Sequence, residues 1–109
     1  MSKKIPEKKI ILKEALSDGK QTYILRLYIT GMTPNSSRAI LNIKALCEKY
    51  LKNRHELEII DIYQQPELAL AEGLIALPVL IKKFPLPEER MVGDLSNIDE
   101  VLKGLALLN

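Results

Sequence analysis

The single cysteine and the single histidine of this sequence, Cys47 and His55, are the first residues to test for chemistry. Nucleophilic and redox catalysis needs a partner for each, because a thiol is activated by a second cysteine or a base, and an imidazole acts on a nucleophile that faces it. Cys47 falls on the apolar side of a helical pattern, which favours a core residue over a redox thiol. His55 lies in a polar segment without a neighbouring serine or cysteine, which favours a surface position over general-base catalysis.

Carboxylate pairs and metal-ligand spacings point to no reaction either. Glu56 and Glu58 would share one face of a strand, and Glu88 and Glu89 are adjacent in a turn; neither pair implies acid–base chemistry without a pocket that shifts a pKa. One cysteine and one histidine exclude an intramolecular disulfide and the usual structural zinc sites. There is no glycine-rich phosphate loop. We therefore predict a protein that is not an enzyme, with no catalytic residue, cofactor or metal.

Length and composition fit one compact domain. The 109 residues are 47% apolar and 28% charged, a balance typical of a globular protein. No apolar run approaches the roughly 20 residues that span a bilayer, and the first residues lack the apolar stretch of a secretory signal. We expect a cytoplasmic protein without a membrane partner.

The basic charge is concentrated at the N-terminus. Residues 1–20 hold six lysines against three acids, whereas residues 21–109 hold ten bases against eleven acids. Nucleic-acid binders carry bases and stacking aromatic rings on the folded part, so we exclude nucleic acid as a partner. We predict a lysine-rich extension over residues 1–20 and a folded domain over residues 21–109. Within the extension, residues 10–12 favour a short strand and residues 17–20 a turn, and the sequence leaves open whether that strand pairs with the next segment.

Hydrophobic periodicity predicts a βαβ unit in the first half. Residues 22–30 are rich in β-branched and aromatic types and predict a strand covered on both faces. Thr33 and Pro34 predict an N-cap and a first helical position, and apolar residues at helical spacing then continue for about 17 residues. Residues 57–62 predict a second strand, parallel to the first.

The second half predicts a helix over residues 66–72 ended by Gly73, strands over residues 76–81 and 90–93, and a last helix over residues 97–108. Gly104 would lie inside that helix, where glycine costs about 1 kcal/mol, and the apolar run 105–108 fits a buried strand equally well.

The element order β-α-β-α-β-β-α is that of an α/β thioredoxin-like fold. Thioredoxins carry their cysteine pair at the start of the first helix, and residues 32–35 here are Met-Thr-Pro-Asn. A thioredoxin-type enzyme would require thiol-dependent activity that a Cys47→Ser variant loses.

Several stretches together resemble the KaiB family of circadian clock proteins. They span residues 22–29, 31–36 (Gly-Met-Thr-Pro-Asn-Ser), 60–62, 66–69, 76–80 and 93–96 (Gly-Asp-Leu-Ser), in register from about Gln21 to Leu108. The resemblance implies a non-catalytic regulator that binds the ATPase ring of a hexameric KaiC, with KaiA or a sensor kinase as a further partner. It also implies a homo-oligomer, a tetramer or dimer, and a metamorphic C-terminal half that adopts either a ground-state or a thioredoxin-like fold.

The resemblance also assigns roles to individual positions. It implies partner binding for Arg38, Gly73, Arg90 and Asp94, and a bias between the two folds for Tyr23, Pro78 and Gly104. The bond before Pro78 is expected to be cis. Because glycine disfavours a helix, we expect Gly104→Ala to favour the thioredoxin-like form.

Departures from the family pattern leave two functions open. Leu70-Ala71-Glu72-Gly73 replaces an acidic stretch that ends in a KaiC-contacting lysine, Leu41 replaces a basic neighbour of Arg38, and Ala106 replaces an aspartate. The first hypothesis is a divergent regulator of a KaiC-type ATPase in a circadian or related timing system. The alternative is an interaction module outside the clock, in stress adaptation or sensor-kinase input.

Overall fold

The computed structural model describes residues 22–108, so the predictions made for residues 1–20 lie outside the described part. Its elements are β1 (Tyr23–Ile29), α1 (Pro34–Tyr50), β2 (His55–Asp61), α2 (Pro66–Glu72), β3 (Val79–Phe84), β4 (Glu89–Val92) and α3 (Ile98–Gly104). The order β-α-β-α-β-β-α is the one predicted. The bounds of β2, β3 and β4 differ from the prediction by one to three residues, because strand ends depend on pairing partners.

The four strands form one sheet in the order β2-β1-β3-β4. β1 pairs with β2 in parallel, as predicted for the βαβ unit, and with β3 in the antiparallel direction. β4 closes the other side as an antiparallel neighbour of β3. The central place of β1 explains its composition, since Leu25 and Leu27 have no exposed surface.

Helix α1 covers one face of the sheet. Thr33 caps it by accepting a hydrogen bond from the Ser36 amide at 3.2 Å, and Pro34 occupies the first turn. Its buried residues Ala39, Ile43 and Leu46 join a core with the alternate side chains of β1 that begin at Tyr23.

Helix α2 lies over the opposite face, where Tyr28, Ile60, Val79 and Ile81 form a smaller core with half-buried Leu68 and Leu74. None of the residues of α2 is fully buried. Gly73 ends the helix in the left-handed conformation (φ +64°), and the Leu74 amide donates back to the Ala69 carbonyl at 3.3 Å. This second helix is therefore attached to the sheet by few apolar side chains.

The last helix is shorter than predicted. It ends at Gly104, and residues 105–108 form a cap instead of continuing the helix. The Leu107 amide donates to the Leu102 carbonyl at 2.8 Å and the Ala106 amide to the Lys103 carbonyl at 3.0 Å, the double bond of a Schellman motif. The cap puts Leu105 fully inside the core, and the apolar run that made the sequence ambiguous is explained by this burial.

Ala106 occupies the position of the cap that favours glycine, with φ +60°. Alanine in this left-handed conformation costs the folded protein about 1–2 kcal/mol. Glycine avoids that cost, but its greater freedom in the unfolded chain costs about 0.5–1 kcal/mol on folding. We predict that Ala106→Gly raises the free energy of unfolding by about 0.5–1 kcal/mol, measured by urea titration. Ala45→Gly, in the exposed middle of α1, is the matched control and should lower it by about 1 kcal/mol. A loss of stability from both substitutions would contradict the role of the cap.

Candidate partner-binding site

The place where thioredoxins carry their cysteine pair is here an open groove. It has a volume of about 390 Å³ and is lined by Thr30, Thr33, Pro34, Asn35, Leu77 and Pro78. The Leu77–Pro78 bond is cis, as expected. The hydroxyl of Thr33 accepts from the Ser36 amide, and buried Ser36 accepts from the Thr30 amide at 3.2 Å. The Thr33 and Ser36 hydroxyls thus connect residues of this loop, and no thiol is among the residues that line the groove.

The two side chains of reactive type, Cys47 and His55, have structural contacts. Cys47 is buried in the core against β1, and burial, with a smaller contribution from the charge of Glu48, raises the pKa of its thiol to about 11. A thiol with that pKa is protonated at neutral pH and a poor nucleophile. His55 is the first residue of β2, and its Nδ1 lies 2.8 Å from the Leu51 carbonyl oxygen. Among residues 22–108, no three His, Cys, Asp or Glu side chains group closely enough to hold a metal ion.

Two of the predicted binding residues, Arg38 and Asp94, contact each other. Arg38 Nε donates to Asp94 Oδ2 at 3.0 Å and its guanidinium also donates to Asn35 Oδ1. The Ser96 amide donates to Asp94 Oδ1 at 3.0 Å, and Asn42 donates to the Asp94 carbonyl at 2.8 Å. The hydrogen bonds from Ser96 and then from Arg38 hold the pKa of Asp94 below its ordinary value. This Asp94 cluster connects α1 to the loop before α3.

The other two predicted binding residues, Gly73 and Arg90, are both neighbours of Glu72: Gly73 follows it in the chain and Arg90 hydrogen-bonds to it. Arg90 Nη2 donates to the Glu72 carbonyl at 2.8 Å and to its Oε1 at 3.0 Å. Lys83 Nζ donates to Glu72 Oε2 at 2.8 Å and lies 3.4 Å from Glu88. The Lys83 hydrogen bond is the main cause of a lowered pKa for Glu72, and the same contact raises the pKa of Lys83. This Glu72 cluster fastens the end of α2 to β3 and β4.

Sequence reasoning missed Glu72 and Lys83 as members of this cluster. Strand alternation assigns Lys83 to the same face as Ile81, so the side of the sheet could have been predicted. Its partner could not, because the position of α2 over that face depends on long-range packing.

Tyr23 and Gly104, two of the predicted fold-switch residues, meet at the end of α3. The Tyr23 hydroxyl donates to the Leu105 carbonyl at 2.8 Å in the core, and burial raises the pKa of Tyr23. A Cβ on Gly104 would lie 2.6 Å from Sδ and 3.0 Å from Cγ of Met91. The flexible Met91 side chain must therefore shift to admit an alanine at position 104, the last residue of α3. Whether Gly104→Ala favours this fold stays a prediction.

One end of the sheet presents apolar side chains to solvent. The loops after β1 and β2 and the loop before β3 lie at this end, because β3 runs antiparallel to β1. Met32, Tyr63 and Ile75 on these loops are 79%, 74% and 99% exposed, and Leu70 on α2 is 81% exposed. We call Met32, Tyr63 and Ile75 the apolar end. Groups of large exposed apolar residues are typical of protein interaction sites.

The fold, the cis-proline groove and the missing thiol define a thioredoxin-like domain without a redox pair. Solved structures agree on the fold: the N-terminal domain of Synechococcus elongatus SasA superimposes with a TM-score of 0.64 at 22% identity, covering 79% of this chain and 85% of that one. The Drosophila melanogaster thioredoxin Deadhead superimposes with a TM-score of 0.65 at 13% identity, covering 90% of this chain and 91% of that one.

Sequence comparison then identifies the family. The KaiB domain model matches residues 26–107. The circadian clock oscillator protein KaiB of Prochlorococcus marinus subsp. pastoris is 45% identical over 89 residues, which cover 82% of this chain and 83% of that protein. The protein of the same description from Thermostichus vulcanus is 44% identical over 89 residues, 82% of each chain. The chain belongs to the KaiB family, which confirms the resemblance seen in the sequence.

Loss of the Glu72 charge should weaken the fold in a pH-dependent way. Because the folded-state pKa of Glu72 is lowered from 4.5, its contribution is present above that pH and is lost as the pH falls through the folded value. We predict that Glu72→Gln lowers the free energy of unfolding by about 1 kcal/mol at pH 7 and by less at pH 3. Urea titrations at both pH values test this, with Glu48→Gln on exposed α1 as the control. An equal loss at both pH values would show that the charge is not the cause.

The fit of Gly104 against Met91 predicts coupling between the two positions. In Gly104→Ala the Met91 side chain must shift, and the cost of that shift opposes a gain in helix propensity of up to about 1 kcal/mol. In the Met91→Ala background the new methyl group has space, so we predict an interaction energy of about 1 kcal/mol in a double-mutant cycle of unfolding free energies. Additive effects of the two substitutions would contradict the contact.

Proposed function

We propose that this protein is a non-catalytic regulator that binds a KaiC-type hexameric ATPase in a circadian or related timing system. The observation that carries the proposal is the identity of about 45% to clock oscillator proteins over 89 residues. The buried, protonated thiol of Cys47 and the groove without a thiol support a role in binding rather than thiol catalysis. In this proposal the acting domain spans residues 21–109 and residues 1–20 are an extension to it.

The proposed binding surface combines the apolar end with the two charged clusters. Burial of the exposed apolar surface of the apolar end would stabilise a complex by about 25 cal/mol per Å² of that surface. Arg38 and Asp94, and Arg90 beside Gly73, supply charges near the surface that orient the partner. Arg38 keeps 54% of its side chain exposed while paired with Asp94, so it can contact a partner without breaking that pair. KaiA or a sensor kinase would use the same domain as a second partner.

The proposal includes a change of fold in which Tyr23, Pro78 and Gly104 act as switch positions. Three specific contacts of the C-terminal half involve or adjoin these positions: the Tyr23–Leu105 hydrogen bond, the Gly104–Met91 fit and the Glu72 cluster. A resting tetramer or dimer in another fold would lack them. Apparent affinity for the ATPase then falls in proportion to the fraction of chains in the competent fold, and association is slow.

A second function is favoured by the charges of the proposed surface. Glu72 and Arg90 satisfy each other, and Gly73 carries no side chain where the family pattern places a lysine. A surface with fewer available charges suits a different partner, as in an interaction module for stress adaptation or sensor-kinase input. This module would keep the same fold and the same apolar end.

Light scattering of the protein with a KaiC-type hexamer and ATP over many hours distinguishes the two functions. We expect an oligomer in the protein alone and slow formation of a larger complex. Arg38→Ala should weaken that complex about fivefold or more, since a contacting arginine is worth about 1 kcal/mol or more at an interface, whereas Lys44→Ala on the same helix should leave it unchanged. A lasting absence of complex with an ATPase shown to be active would reject the clock function and leave the alternative.

A further inference from the structure

The loops after β1 and β2 begin side by side, because the last residues of these parallel strands, Ile29 and Asp61, are paired in the sheet. Asp61 is partly buried, and its Oδ1 accepts a hydrogen bond from one amide in each loop. The Gly31 amide donates at 3.2 Å and the Tyr63 amide at 2.9 Å. One carboxylate oxygen therefore connects the loop that carries Met32 with the loop that carries Tyr63.

Asp61 also binds further amides of the loop after β2. Its carbonyl oxygen accepts from the Gln64 amide at 3.0 Å and from the Gln65 amide at 2.9 Å. The side-chain bond to the amide of Tyr63, two residues further on, is the contact with which aspartate stabilises a turn. Three consecutive amides of this loop thus bind to one residue, so the conformation of the loop depends on Asp61.

The ring of Tyr63 lies against Gly31. A Cβ placed on Gly31 would be 3.6 Å from Cδ2 and 3.7 Å from Cε2 of the ring, and the φ of +60° is one that glycine adopts without strain. Tyr63 and Met32, which follows Gly31, are both largely exposed. An exposed ring has few packing contacts to order it, so its position depends on the backbone that carries it, and Asp61 binds that backbone.

We propose that Asp61 is a positioning residue for partner binding, which holds the Tyr63 ring against Gly31 before a partner arrives. This inference rests on the proposed function, in which the apolar end contacts a KaiC-type ATPase. Ordering side chains and loops at an interface costs free energy on association, so a surface that is already ordered binds more tightly. Asp61 acts through Tyr63 and makes no contact with the partner itself.

Two substitutions separate this role from that of a charge that contacts the partner. Asp61→Asn removes the charge but keeps an Oδ1 that accepts the same two hydrogen bonds. Asp61→Glu keeps the charge but moves its oxygens by the length of one methylene group. A positioning role therefore tolerates asparagine and is impaired by glutamate, whereas a direct charge contact gives the opposite order.

NMR spectroscopy of the full-length free protein tests the positioning. In Asp61→Ala the amide protons of Gly31 and Tyr63 should exchange about fivefold faster, the effect of one lost hydrogen bond each. Nuclear Overhauser effects between the Tyr63 ring and the Gly31 Hα protons should weaken. Asp61→Asn should keep both signals, as should Glu56→Ala, the matched control at an exposed acid of the same strand. An unchanged ring contact in both Asp61→Ala and Asp61→Glu would overturn the proposal.

Binding to a KaiC-type hexamer with ATP tests the consequence for affinity. We expect affinity about fivefold lower in Asp61→Ala and Asp61→Glu, which corresponds to ordering one side chain on association, and unchanged affinity in Asp61→Asn and Glu56→Ala. In a Tyr63→Ala background Asp61→Ala should have little further effect, whereas a general loss of the competent fold would persist there. Additive effects of the two alanine substitutions, or weaker binding by Asp61→Asn, would overturn the proposal.

Failure of the proposed function has a different signature. If the unchanged chain binds no hexamer of demonstrated activity, the proposed function is rejected, and the exchange rates and ring contact of the free protein then decide whether Asp61 positions Tyr63. If the unchanged chain binds and the ring contact depends on Asp61 while affinity does not, the function stands and the positioning role in binding is rejected.

Discussion

The pairing of β1 on both sides is the constraint on which the rest of this structure depends. β1 pairs with the parallel strand β2 on one side and with the antiparallel strand β3 on the other. Its side chains point alternately to the two faces of the sheet and contribute to the core on each face. Leu25 and Leu27 of β1 are fully buried, and its one charged residue, Arg26, lies 3.4 Å from Glu58 of the neighbouring β2. The helices on both faces of the sheet and the two charged clusters therefore depend on β1 and on the strands that pair with it.

The two halves of the molecule are secured in different ways. The first half rests on the long helix α1, which buries a continuous apolar stripe. The second half buries apolar residues of β3 and α3 in the same cores, but its two helices have seven residues each and one has no fully buried residue. Polar contacts add to this packing: Glu72 to Lys83 and Arg90, Asp94 to Arg38, and Tyr23 to Leu105. Polar contacts depend on geometry, and they are lost together when the elements that carry them rearrange.

Sequence patterns predicted the elements and their order because periodicity and caps are local. The strand at residues 22–30, the helix after Thr33 and the helix ended by Gly73 all follow from neighbours in the chain. The length of α3 was wrong, because the Schellman cap at Ala106 uses an alanine where glycine is the usual signal. The resemblance alone pointed to the binding residues Arg38, Asp94, Gly73 and Arg90. The contacts of Arg38 with Asp94 and of Arg90 with Glu72 depend on tertiary packing, which a local sequence pattern does not contain. Whether they bind a partner stays a prediction.

The fit of Gly104 against Met91 also constrains how this sequence can change over evolution. An alanine at position 104 requires the flexible Met91 side chain to shift, so a substitution at one position changes the cost of a substitution at the other. A shorter residue at position 91 would remove that cost. The size of one side chain on β4 thus affects which mutations of the last helix are accessible to selection.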